Sequence, residues 1–217
     1  SLVRRALNEG SIPNPMHVRI EEMLNYFNYN HPSPTGDAPV ALSCQVGPCP
    51  WNNANHIAMV GVRAKEVFFE DIPPSNLVFL IDVSGSMNQP DKLPLLKKSF
   101  AHLVQNLRPQ DRVSVVVYAS VTGVVLECTS GSAKEQIMNS INRLEPGGST
   151  AGGAGIQHAY SLATKNFIEG GNNRVILATD GDFNVGASSE EALVRLIREK
   201  RDRGIYLSVL GFGTGNY

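Results

Sequence analysis

Five side chains in this sequence are of types and spacings that could bind a metal ion. Asp82, Ser84 and Ser86 alternate directly after an apolar run, Asp180 follows a second apolar run, and Thr150 follows a glycine pair. Ligands of an open α/β sheet bind at the carboxyl ends of its strands, where the loops are free of the sheet's hydrogen bonding. We therefore expect the three segments to converge at one sheet edge.

The donor types favour a hard cation. Carboxylate and hydroxyl oxygens suit Mg²⁺, with Mn²⁺ or Ca²⁺ as alternatives, whereas zinc and copper prefer imidazole and thiolate ligands. Mg²⁺ rarely sheds all its waters, so some of these residues should act through water. Only Asp82 and Asp180 carry charge, so if one of them acts through water the ion keeps net positive character toward solvent. That open position predicts capture of an Asp or Glu carboxylate from another protein.

The apolar patterns predict the strands that position these residues. Residues 77–81 and 175–178 are continuously apolar, as central strands buried on both faces should be. Residues 113–118 and 124–126 are separated by too few residues for a helical crossover and should pair antiparallel. Residues 205–210 supply a fifth strand. This order predicts a doubly wound α/β domain over residues 73–217, with a mostly parallel sheet and one antiparallel edge strand.

Helices should lie between these strands. Apolar residues between Leu93 and Leu107 recur at spacings of three and four, and a second set of this kind runs from residue 156 to Phe167. Ser132 with Glu135, and Ser188 with Glu191, fit the capping box that begins a helix. Gly204 should end the last helix.

The first 72 residues predict a small α+β module. Ile20, Met23, Leu24 and Phe27 suggest a helix, and two strands should cover residues 40–46 and 57–62. Alternation in the first of these strands is typical of a half-buried strand. Because two strands and a helix bury little apolar surface, we expect the module to pack on the α/β domain.

Composition narrows the classes of protein. The chain has 217 residues, 42% hydrophobic, with a formal net charge of −1, so nothing in its charge favours nucleic acid as a partner. No apolar stretch reaches the roughly 20 residues of a transmembrane helix. The three cysteines, Cys44, Cys49 and Cys128, are too few for a disulfide scaffold. Pairing of Cys44 with Cys49 and three free thiols both stay open.

Asp82-Val83-Ser84-Gly85-Ser86, Thr150 and Thr179-Asp180-Gly181 together resemble the von Willebrand factor type A domain over residues 75–217. The resemblance implies a doubly wound fold and a metal-ion-dependent adhesion site formed by Asp82, Ser84, Ser86, Thr150 and Asp180. It implies protein binding rather than catalysis. Gly148, Ser149, Asp182 and Asn184 lie beside this set as candidate partner contacts, although loop polarity explains Asp182 and Asn184 equally well.

Residues 8–10, 21–27, 48–52 and 181–186 extend the resemblance to bacterial von Willebrand factor A proteins of the YfbK type. This implies a cell-envelope protein, periplasmic or surface-anchored and often a lipoprotein. In the family, a further helix and edge strand follow the fifth strand. We expect the chain to be truncated before them and to be less stable than a longer version.

Other functions have weaker support in the sequence. The glycine-rich stretch 147–155 lacks the Gly-Lys-Ser/Thr ending of a phosphate loop, and the glycines at 211–215 follow the last strand. A magnesium-dependent phosphoryl-transfer or hydrolytic enzyme with Asp82 as nucleophile is the main alternative. Ser84 then stands where such chemistry usually needs a second carboxylate. A scaffold whose metal only fastens loops is a third reading.

Overall fold

The computed structural model describes residues 2–148, 152–181 and 190–213. Ser149, Thr150, Asp182 and Asn184, which carry part of the predicted site, lie outside the described residues. The chain divides into two compact units, Ser1–Asp71 and Ile72–Tyr217. The expected packing of the first unit on the second, and the truncation, stay predictions.

The first unit is the small α+β appendage. It contains helices α1 (Leu2–Asn8) and α2 (Ile20–Leu24), and strands β1 (Val40–Pro48) and β2 (His56–Ala64), which pair antiparallel. The predicted helix is shorter than expected, since Phe27 lies beyond α2. The half-buried alternation in β1 is wrong, because Leu42 and Val46 are 71% and 68% exposed.

The second unit is a doubly wound α/β domain. Its strands are β3 (Ser75–Asp82), β4 (Arg112–Tyr118), β5 (Thr122–Ser130), β6 (Asn172–Thr179) and β7 (Ile205–Gly211). Its helices are α3 (Leu93–Gln105), α4 (Lys134–Asn142), α5 (Gly152–Lys165) and α6 (Glu190–Asp202). The sheet order is β5-β4-β3-β6-β7, with β5 antiparallel at one edge and the rest parallel. The predicted fold class is confirmed.

Strand β3 is the centre of the sheet because both of its faces are covered. Phe79 points into a core shared with α3, where its ring centroid lies 4.3 Å from that of Phe100. Leu80 points to the opposite core beneath α5. A Cβ at Gly155 would lie 3.1 Å from Leu80 Cδ1, so this glycine lets α5 approach the sheet closely. The continuous apolar run of β3 thus follows from burial on two sides.

Two helix predictions need correction. The residue that precedes α4 is Ala133, which has no polar side chain to cap the helix, and the Ser132 hydroxyl lies 2.9 Å from that of Ser130. The capping box with Glu135 is therefore absent, while Ser188 lies outside the described residues. Phe167 lies beyond the end of α5. The prediction that Gly204 ends α6 is consistent with its φ of +83°, which favours glycine.

Two further features concern disulfide pairing and membrane-spanning helices. Cys44 is exposed, Cys49 is buried, and all three cysteines are free thiols. Within the described ranges, none of the helices has the length and apolar character needed to cross a membrane.

A buried ion pair ties the starts of β3 and β4 together, at the sheet edge opposite the predicted site. Asp111 accepts hydrogen bonds from the backbone N–H groups of Ser75, at 2.9 Å, and Arg108, at 2.8 Å. Arg108 Nη2 lies 3.0 Å from Asp111 Oδ1, and its Nη1 donates to the carbonyl of Ile72 at 2.6 Å. Burial raises the pKa of Asp111, but these bonds outweigh burial and leave it below its usual value.

We expect Asp111→Asn to lower the free energy of unfolding at neutral pH by about 2 kcal/mol, the usual worth of hydrogen bonds to a charged group. Because the folded pKa lies below the unfolded one, the carboxylate's contribution is present above about pH 4 and is lost as pH falls through the folded pKa. Urea unfolding at neutral and acid pH should show less acid destabilisation in Asp111→Asn than in wild type. Asp202→Asn, an exposed aspartate beside Arg201, is the matched control. Equal pH dependence in Asp111→Asn and wild type would contradict the assignment.

Candidate metal centre

Two aspartates lie at the carboxyl ends of the two central parallel strands. Asp82 is the last residue of β3, and Asp180 follows directly after β6. Ile81 pairs with Ala178 in the parallel register, so the two strands end side by side. Asp82 and Asp180 are 0% and 2% exposed, which is unusual for carboxylates unless their charge is compensated. The sheet therefore brings together the two charged residues that the sequence predicts for the site.

The loop after β3 presents the two serines. The Ser84 N–H donates to Asp82 Oδ1 at 2.8 Å, and the hydroxyls of Ser84 and Ser86 lie 3.1 Å apart. Ser86 is exposed within a single 3₁₀ turn, Gly85–Asn88, whereas Met87 in the same turn is fully buried in the core. Met87 thus anchors the loop and leaves the Ser86 hydroxyl at the surface.

The glycine pair of the 144–148 loop lies against the serine loop. Gly147 N–H donates to the Val83 carbonyl at 2.7 Å, and Gly85 N–H donates to the Gly148 carbonyl at 3.1 Å. Gly148 has φ of +81°, and a Cβ there would lie 2.3 Å from Ser120 Oγ. Glycine is therefore required both by the backbone conformation and by the close approach. These bonds place Gly148, a candidate partner contact, beside Asp82 and the serines.

Burial dominates the electrostatics of Asp82. Burial raises the pKa of this carboxyl, hydrogen bonds from Ser84 oppose the rise, and the nearby charge of Asp180 raises it further. Tyr118, which pairs with Asp82 across β3 and β4, is fully buried, and burial raises the pKa of its phenol. Its hydroxyl therefore stays protonated and helps to stabilise the charged form of Asp82.

The donor set fits a hard cation. Asp82 Oδ2 is buried and accepts no hydrogen bond of normal geometry from the residues that the structure describes. A buried carboxylate oxygen without a donor is costly, and a cation beside it would remove that cost. The described residues contain no group of three or more His, Cys, Asp or Glu side chains placed to hold a metal. A cation here would therefore depend on the hydroxyls of Ser84 and Ser86 as well.

Sequence reasoning missed three residues at this edge. Lys92 Nζ donates to Asp180 Oδ2 at 2.8 Å, and both side chains are buried. Tyr118 and Ser120, at and just after the end of β4, reach Asp82 and Gly148 as described above. A lysine just before an amphipathic helix has the pattern of a solvated residue, so no local signal distinguishes Lys92. Tyr118 does carry a signal, because it ends a predicted strand of the same sheet and so lies at the edge where Asp82 is expected.

Comparisons with known proteins agree with this geometry. Residues 76–217 match the family model described as the von Willebrand factor type A domain, and residues 1–59 match one described as von Willebrand factor. The chain is 43% identical to the uncharacterized protein YfbK of Escherichia coli K12 over 99% of its own length. It spans 39% of the length of that relative.

Two solved structures share the fold of the second unit. One is proximal thread matrix protein 1 from the mussel byssus, with a zinc-occupied MIDAS motif. MIDAS denotes a metal-ion-dependent adhesion site. This protein is 26% identical, with a TM-score of 0.52, and the match covers 66% of this chain and 37% of that one. The other is the manganese-loaded TRAP protein of Plasmodium vivax, 24% identical, with a TM-score of 0.53 over 66% of this chain and 59% of that one; it supports the fold alone.

The family match covers all five strands of the sheet except Ser75, and it includes both buried aspartates. The matched region has oxygen donors at the carboxyl ends of adjacent strands. The predicted resemblance is confirmed: this chain belongs to the von Willebrand factor type A domain family.

Proposed function

We propose that this chain is a non-enzymatic protein-binding module whose binding depends on a divalent cation. Asp82, Ser84, Ser86, Thr150 and Asp180 would hold the ion, and Mg²⁺ is the ion we propose. A bound cation supplies a positive coordination position that an Asp or Glu carboxylate of a partner protein can fill. The observation that carries the proposal is the buried Asp82 Oδ2, which accepts no hydrogen bond of normal geometry among the described residues and lies at a strand end directly before two hydroxyls.

The relatives support the coarser part of the proposal. The mussel protein has a zinc-occupied MIDAS motif and the Plasmodium vivax protein is manganese-loaded, so divalent cations bind to members of this fold. Hard oxygen donors with only two carboxylates favour Mg²⁺ for the present chain. We further propose an envelope location, periplasmic or surface-anchored, on the basis of the sequence resemblance alone.

The enzyme alternative is less consistent with the site. A nucleophilic Asp82 would need an accessible oxygen, but the side chain is completely buried and its Oδ1 accepts the Ser84 N–H. Ser84 also remains a poor general acid near neutral pH. The geometry therefore favours cation binding over attack on a phosphoryl group.

Asp82→Asn should weaken Mg²⁺ binding at least about a hundredfold, since even groups that only orient metal ligands cost up to that factor when changed. Isothermal titration calorimetry with Mg²⁺ and Mn²⁺ measures the change. Ser86→Ala should weaken binding about tenfold without loss of stability, because Ser86 is exposed and the loop is anchored by Met87.

Asp202→Asn is the control for these titrations, because it removes the same charge from an exposed position at the far end of α6. It should bind Mg²⁺ as wild type does. Unchanged Mg²⁺ affinity in folded Asp82→Asn would rule out the proposed ligand set.

Partner capture should require both the metal and a partner carboxylate. Immobilised wild-type protein should retain a partner from native lysate in Mg²⁺ and release it in EDTA, and Asp82→Asn should retain none. Amidation of lysate carboxyl groups should abolish capture, while acetylation of lysate amines serves as the matched control. Capture that persists in EDTA or with Asp82→Asn would contradict a cation-dependent mode.

A further inference from the structure

Lys92 forms a buried ion pair with one of the two aspartates of the candidate metal centre. Its Nζ lies 2.8 Å from Asp180 Oδ2, and the side chains of the lysine and the aspartate are 10% and 0% exposed. The two residues are 88 positions apart in the chain. Lysine is almost never buried to this degree unless it is paired, so the fold has placed this ammonium group at the carboxylate.

Contacts from several segments of the second unit hold the lysine in place. Lys92 N–H donates to the Gln89 carbonyl at 3.0 Å, and the Lys92 carbonyl accepts from Leu96 N–H at 2.9 Å in the first turn of α3. A Cβ at Gly213, just after β7, would lie 2.7 Å from Lys92 Cε. The aliphatic stem therefore passes against a glycine backbone, and any larger residue at 213 would collide with it.

The ammonium and a divalent cation would compete for the same charge. Mg²⁺ holds its oxygen ligands at about 2.0–2.1 Å, so an ion on Asp180 Oδ2 would lie close to the Lys92 ammonium, which is 2.8 Å from the same oxygen, and the two cations would repel each other. If the ion reached Asp180 through its other oxygen or through water, the two cations would still repel each other across a poorly screened site. In either arrangement this repulsion opposes simultaneous metal binding and the Lys92 ion pair.

We propose that Lys92 is a tethered cation that competes with the divalent metal for Asp180, so that the ion pair and the metal exclude each other. This inference rests on the proposed function, because it concerns regulation of the same site. In the metal-free protein, Lys92 neutralises one carboxylate and the site stays folded. Metal binding then requires displacement of the lysine, which lowers the affinity and makes occupancy sensitive to the metal concentration.

The first test compares metal binding by Lys92→Met with wild type. Methionine keeps an unbranched stem against Gly213 and removes the charge. Titration calorimetry should show Mg²⁺ and Mn²⁺ binding to Lys92→Met about tenfold or more tighter than to wild type, as expected when a competing hydrogen bond between charged groups is removed. Lys98→Met is the matched control, since Lys98 is an exposed lysine further along α3. It should change the affinity less than about twofold.

The outcomes separate the two proposals. If wild type binds Mg²⁺ and Lys92→Met binds it equally well or more weakly, the competition is overturned and the proposed function stands. Weaker binding by Lys92→Met would instead identify Lys92 as a residue that positions Asp180. Absence of Mg²⁺ and Mn²⁺ binding by both proteins would overturn the proposed function and the competition together.

A second measurement uses wild-type protein, because Lys92→Met leaves a buried carboxylate without its partner and could fail to fold. Acetylation of each lysine is followed by mass spectrometry with and without Mg²⁺. Lys92 should react slowly in EDTA and faster in Mg²⁺, whereas Lys98 should react equally in both, and Asp82→Asn should show no Mg²⁺ effect at Lys92. Continued protection of Lys92 at a Mg²⁺ concentration that saturates wild type would overturn the proposal.

Discussion

The burial of two carboxylates at the ends of neighbouring parallel strands is the constraint on which the rest of this structure depends. Asp82 and Asp180 are almost completely removed from solvent, and the charge of Asp180 raises the pKa of Asp82. Burying such charges is costly unless cations or hydrogen-bond donors compensate them. The Ser84 N–H and Lys92 supply part of this compensation, and Asp82 Oδ2 accepts no hydrogen bond of normal geometry among the described residues.

The surrounding packing keeps that arrangement in place. The serine loop is anchored from below by Met87 and from the side by the hydrogen bonds between Val83 and Gly147 and between Gly85 and Gly148. At the opposite edge of the sheet, the pair of Arg108 and Asp111 fastens the starts of β3 and β4. The hydrogen bonds between Arg108, Ser75 and Asp111 compensate the buried Asp111 carboxylate, whereas Asp82 Oδ2 accepts no hydrogen bond of normal geometry among the described residues.

A site compensated by its own lysine differs from one that needs metal in order to fold. In a structural zinc site, removal of the metal unfolds the protein because the ligand charges have no other partner. Here Lys92 provides that partner, so the fold and the metal are separable in our proposal. In this proposal the same lysine reduces the net negative charge that would attract a cation. The group that stabilises the metal-free site therefore also lowers its affinity for the ion.

The sequence by itself determined the doubly wound domain, the central strands and the types of oxygen donor, because strand burial and the alternation of Asp82, Ser84 and Ser86 are local patterns. It failed where contacts that no sequence pattern shows decide the outcome. The Ser132 hydroxyl pairs with Ser130 instead of capping α4, and the apolar side chains of Leu42 and Val46 are exposed. Lys92 and Asp180 meet across 88 residues only because α3 begins beside the end of β6. Only the tertiary structure could decide that contact, because no local periodicity encodes which charges the sheet brings together.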